Sequence, residues 1–185
     1  MGFVTNDQSF SLARGLERLW TDHVIWTRLY IIAAVDERPE AQQAAGRLLK
    51  NQEDIGNAIV PLYGEAAGAK LTDLLKQHIM IAVDLVAAAK SGDQEKFGLN
   101  DARWTTNAQE IAAFLAGANP YWPEKDVSDL LSLHLSLTKE EAVARLQKDF
   151  DKDIEIFDQI LTEILTLADA LTEGIIRQSP DKFAA

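Results

Sequence analysis

The stretch "SLARGLERLWTDHVIWTRLYIIAAV", residues 11–35, holds no proline and repeats its apolar residues every three or four positions, so it reads as one long amphipathic helix. Counting in sevens from Leu12 places Leu12, Leu16, Leu19, His23, Trp26, Tyr30 and Ala33 on one face. A helix of this length must bury that face against other helices, because helices draw most of their stability from such packing. His23 lies in the seam expected to be dry, and that position needs explaining.

The rest of the chain has the same period, with no sustained alternation of the kind a strand would show. The first helix is expected to stop before Pro39. A second runs from Pro39 to Leu62, with Pro61 and Gly64 as breakers. A third spans Glu65–Lys90 and ends at "KSGD", and a fourth spans Gln94–Gly117. "GANPYWPEKD" leads into a fifth at Pro123. "TKEEA" reads as a capping box in which Thr138 starts a sixth helix and Glu141 reaches back, that helix running to Arg177. No linker or shift of composition divides the chain. The expectation is therefore one all-α domain over residues 1–185, an antiparallel up-and-down bundle of about six helices with frayed tails at 1–10 and 179–185.

The chain has 185 residues, with 18 basic side chains, 29 acidic ones and a formal charge of −11. An acidic balance without a basic run opposes binding to nucleic acid phosphates and to anionic lipid, so no nucleic acid and no membrane partner is expected. There is no cysteine, which removes disulfides, thiolate zinc sites, iron–sulfur clusters and cysteine nucleophiles. The first residues lack a basic region followed by an apolar run, so a cytoplasmic location is expected for a chain from which no export signal has been cut. Oligomeric state is not legible.

The three histidines are His23, His78 and His134, spaced 55 and 56 residues apart in similar text: LWTDHV, LLKQHI and LLSLHL. Two matching segments fall between them, "RLLKNQEDI" at 47–55 and "RWTTNAQEI" at 103–111, and "RLQKDFDKDI" at 145–154 is a looser third. The pattern reads as three repeated helical hairpins. Residues equally far from the turn joining two helices lie level in a bundle. By that count His23, Asn51, His78, Asn107 and His134 share one layer, with Asp54 and Glu110 one turn further on. The sixth helix breaks the symmetry, since Asp149 is not level with His134 if that helix starts at Thr138. Asp153 reads as a separate buried acid, paired with Arg28 or Arg145.

Neutral imidazoles from three helices are ligands for a transition metal such as zinc, iron, copper or nickel. On this reading His23, His78 and His134 bind the ion, Asp54 or Glu110 completes the set, and Asn51 and Asn107 orient the rings. Two other readings stay open: a pocket for a small ligand, and a hydrogen-bonded layer that only fixes helix register. The Glu-x-x-His pairs of ferritin-like di-iron bundles are absent, as is any Ser/His/Asp grouping or glycine-rich phosphate loop, so no reaction is indicated. Trp20, Trp26, Trp104 and Trp122 are expected in the core.

The stretches LWTDHVIWTR, HLSLTKEEAVARL and EGIIRQSPDKF resemble those of an uncharacterised family of bacterial all-helical proteins, and the likeness extends over most of the chain. The resemblance implies a helical fold and a bacterial source. It assigns no activity and no catalytic residue.

Overall fold

The computed structural model describes residues 7–183. Six helices follow one another: α1 (Asp7–Val35), α2 (Ala41–Tyr63), α3 (Glu65–Ser91), α4 (Gln94–Ala118), α5 (Glu124–Gln147) and α6 (Phe150–Gln178), with a short 3₁₀ turn at Pro180–Lys182. Each helix packs on the next, and α6 packs back on α1, closing the six into a ring. The odd-numbered helices α1, α3 and α5 also touch one another pairwise and form an inner trio. Among the described residues no helix is long and apolar enough to cross a membrane.

Three hairpins build the ring, and their turns are alike. Glu37, Gly92 and Lys148 each adopt the left-handed conformation, with φ of 56°, 73° and 60°. The residue after each donates its N–H back across the turn: Arg38 to Ala33 O at 2.8 Å, Asp93 to Ala88 O at 3.1 Å and Asp149 to Ala144 O at 3.0 Å. This satisfies carbonyls that a helix end leaves free. Asp93 and Asp149 then cap the outgoing helices, accepting from Lys96 N and Lys152 N.

The expected boundaries hold well for α3 and α4 and fail at the last hairpin. Thr138 lies in the interior of α5, nine residues before its last residue Gln147, and the chain turns at Lys148 and Asp149 instead. Nothing in the local text marks Lys148, because a lysine there offers none of the conformational ease of glycine. Pro61 likewise lies inside α2 and does not end it. The tails expected to fray are partly ordered: residues 7–10 belong to α1 and residues 180–182 form the 3₁₀ turn, whereas 1–6 and 184–185 lie outside the described residues.

The core has two parts. A large cluster runs from the end of the bundle where α1 begins, with Leu16, Trp20, Ile55, Leu71, Ile111, Leu131 and Ile164, on towards the turns, with Leu85 and Ala144. A small one of Tyr30, Ile31, Ala44, Val86 and Ala142 lies near the turns. Each fully buried Leu or Ile contributes about 1.5–3 kcal/mol. The buried face of α1 is broader than the heptad count gives, taking in Trp20, Val24, Thr27 and Ile31, because an inner helix meets neighbours on several sides. Trp26 is only half-buried, under the guanidinium of Arg47, while the other three tryptophans are core.

Candidate functional site

The three histidines come together. His23 on α1, His78 on α3 and His134 on α5 are each no more than 3% exposed, and all three line one cavity on the axis of the inner trio. The ring centroids of His23 and His134 are 5.6 Å apart, and those of His78 and His134 are 6.3 Å apart. The layer holds because equal spacing from three alike turns sets the residues level, and the inner position of the odd helices points them at one another.

Every imidazole is held through Nδ1 by a polar side chain on the outer helix of its own hairpin, 29 residues later in each case. Asn107 Oδ1 lies 2.9 Å from His78 Nδ1, and Asn107 Nδ2 donates to Leu74 O, so the oxygen accepts and the His78 proton is on Nδ1. Glu163 Oε2 lies 3.0 Å from His134 Nδ1 and accepts a hydrogen bond from it. In the neutral form of each of these rings Nε2 is therefore bare.

His23 differs from the other two. Gln52 Nε2 lies 3.2 Å from its Nδ1, with Leu48 O and Asn51 Oδ1 also in reach of the two amide hydrogens; an amide nitrogen cannot accept, so a bond to the ring has Nδ1 accepting and the His23 proton on Nε2. Gln52 Oε1 is buried without a partner. Turning the amide would let that oxygen accept from His23 Nδ1–H, at the cost of facing Leu48 O.

Burial keeps two of the three rings, His23 and His78, in the neutral form. It pushes the His78 imidazole down to about 3, helped by nearby His134 and only partly opposed by Asn107. His23 is driven well below its ordinary value by burial, then by His134 and His78. Two indoles pack against the layer, the Trp104 ring tilted at 5.0 Å from His78 and Trp20 edge-on at 5.7 Å from His23.

Several expected members are elsewhere. Asp54 is half-exposed and tied to Lys50 Nζ at 2.5 Å and Arg47 at 3.9 Å. Glu110 is exposed. One turn beyond an inward asparagine does not suffice to point a carboxylate inward, because three residues rotate a helix short of a full turn. Asn51 is in the layer but bonds Leu19 O, not a histidine. Asn107 does both jobs, which Asn51 and Gln52 divide between them in the first hairpin. The carboxylate of the site is Glu163, and it and Gln52 are the members missed in the sequence. The constant interval of 29 from each histidine would have found both. The segment at 145–154, matched to the asparagine segments, instead spans the α5–α6 turn.

A second buried polar group lies on the α1–α6 seam. Arg28 makes a two-pronged pair with Asp153 at 2.7 and 3.0 Å and also contacts Glu141. Arg145 approaches Asp153 at 3.6 Å and pairs with Asp36. Asp153 thus has the arginine partners expected of it, and Glu141 serves as a buried partner of Arg28 in place of the expected cap. Burial disfavours the Arg28 charge, but Asp153 and Glu141 outweigh this and raise its pKa. Burial pushes the Glu141 carboxyl up to about 7, against the pull of Arg28. A raised carboxyl binds its proton more tightly folded than unfolded, so its contribution is present at low pH and lost as pH rises from its ordinary 4.5 to about 7. Relative to a Glu141→Gln variant, the protein is expected to lose up to about 1.4 kcal/mol per pH unit across that window. Urea unfolding of both proteins at pH 5 and pH 7.5 measures it, and parallel pH dependence of the two would refute it.

Among the described residues no group of three or more His, Asp or Glu side chains is placed to hold a metal ion. With metal–nitrogen bonds of about 2.0–2.1 Å, imidazole centroids around one tetrahedral ion are roughly 5 Å apart. The rings must therefore close in by about an ångström and the His23 proton must move to Nδ1. No protein-family model, curated protein or solved structure matches this chain.

Proposed function

We propose that this bundle binds one transition-metal ion through Nε2 of His23, His78 and His134. One observation carries the reading: three buried imidazoles, one from each hairpin, line a common cavity with Nδ1 already held by a fixed partner. A carboxylate or amide oxygen on the far nitrogen is how proteins fix the tautomer and direction of a ligating histidine and raise its basicity. Imidazole sets of this kind suit zinc, iron, copper or nickel. The burial of the Glu163 carboxyl against His134 is accounted for on this reading, since a carboxylate there would partly balance the ion.

The test uses protein prepared without a histidine tag. About one equivalent of metal is expected to bind, and at a hundredfold excess over Kd it adds about 2.7 kcal/mol to unfolding stability. His23→Ala, His78→Ala and His134→Ala each remove that increment. Glu163→Gln keeps an acceptor in place, and its metal affinity is expected to fall about 10- to 100-fold. Absence of bound metal together with no metal-dependent rise in melting temperature would overturn the proposal.

A second reading is favoured by the donor direction at Gln52. A single buried water accepting from His23 Nε2–H and donating to His78 and His134 would satisfy all three rings, and the cavity has about 20 Å³ for the centre of a water-sized sphere. On that reading the layer only fixes register, metal adds nothing, and His23→Leu is neutral or stabilising.

A further inference from the structure

We infer that the ion carries a fourth, exchangeable ligand, a small monoanion bound on the side of Thr138. This rests on the metal reading above and adds what the centre would take up. Thr138 lines the same cavity one turn along α5 from His134. It is 5% exposed, and its hydroxyl is buried without a partner. A helical threonine ordinarily donates to the carbonyl four residues back, which its counterpart Thr27 does, bonding His23 O at 2.8 Å. The Thr138 hydroxyl does not do so, and it remains available to a ligand in the cavity. Trp104 lines the cavity too, and its Nε1 is likewise buried and unpartnered. Both orphaned groups can donate, so the space suits an acceptor.

Charge and size narrow the ligand. Three neutral imidazoles leave a divalent ion with two positive charges, and Glu163 behind His134 supplies one negative charge. One further negative charge neutralises the centre in surroundings walled by Ile79, Ala82, Val83 and Val86. Three protein ligands with an open fourth position is the arrangement that admits water, hydroxide or an anion. The space admits about one water-sized group, which limits the ligand to the smallest anions, hydroxide or an azide bound end-on.

Cobalt(II)-loaded protein tests this, because its visible absorption reports coordination, with azide as the probe. Azide is expected to change the cobalt spectrum saturably. Thr138→Val is expected to weaken azide binding about tenfold while cobalt stoichiometry stays the same, and Thr27→Val is expected to leave azide affinity within twofold. If cobalt binds through the histidines and azide leaves the spectrum unchanged, or Thr138→Val binds azide as the parent does, the inference fails and the metal reading stands. If cobalt does not bind, both fail.

Discussion

Arg28→Ala is expected to cost about 3–5 kcal/mol of unfolding free energy, the range for removing one partner from a buried charge cluster. Glu141 and Asp153 are each 1% exposed, and Arg28 is the guanidinium that touches both. Without it the two carboxylates either keep their charges in a dry seam or take up protons, and each course penalises the folded state. Arg145 at 3.6 Å shields Asp153 in part, so the penalty falls chiefly on Glu141. The asymmetry of polar burial supplies a control, because removing every partner costs less than removing one. Arg28→Met combined with Glu141→Gln and Asp153→Asn is therefore expected to recover most of the loss. Urea midpoints of the parent, the single and the triple variant measure both effects. A loss under about 1 kcal/mol for Arg28→Ala would show that the seam is wetter than these contacts imply.

Gly56→Ala is expected to cost about 3 kcal/mol, at the upper end of ordinary overpacking. A Cβ on Gly56 would sit 2.6 Å from Gly68 O and press on the Thr72 hydroxyl, while a Cβ on Gly68 would sit 2.8 Å from Gly56 O. Backbone faces backbone there, so α2 and α3 can relieve the contact only by moving apart. Gln52 is one turn back from Gly56 on α2, and the movement draws its amide away from His23 Nδ1. Metal affinity is thus expected to fall along with stability, although Gly56 touches no ligand. Gly15→Ala meets open space and is the matched control. Equal urea midpoints for Gly56→Ala and Gly15→Ala would rule out the close approach as a constraint.

What the sequence disclosed and what it hid have the same cause, the reach of the interaction concerned. Helix period, the glycine at 92 and the cap at Asp93 are local, and they place α3 and α4 to within a residue or so. "TKEEA" has the local form of a cap, yet Glu141 is used by Arg28, 113 residues away, and no short-range pattern distinguishes the two. Misplacing that one turn concealed Glu163, since level positions are counted from turns. The histidines themselves were legible because their spacing repeats across hairpins. The amide partner was not, because Asn51 and Gln52 are adjacent and both buried, and only the partners each finds in the folded bundle decide which meets the ring.

The sealing of α6 against α1 has a consequence for connectivity. With each hairpin contributing one imidazole and its holder, a chain that ran from α3 through α6 and on into α1 and α2 would assemble the same ring and the same layer. The order of the hairpins along the polypeptide is thus interchangeable by rotation, and a chain circularly permuted at the Gly64 link between α2 and α3 is expected to fold. That link has φ of 84° and lies at the end opposite the turns that set the layer's height, so opening it leaves all three hairpins whole.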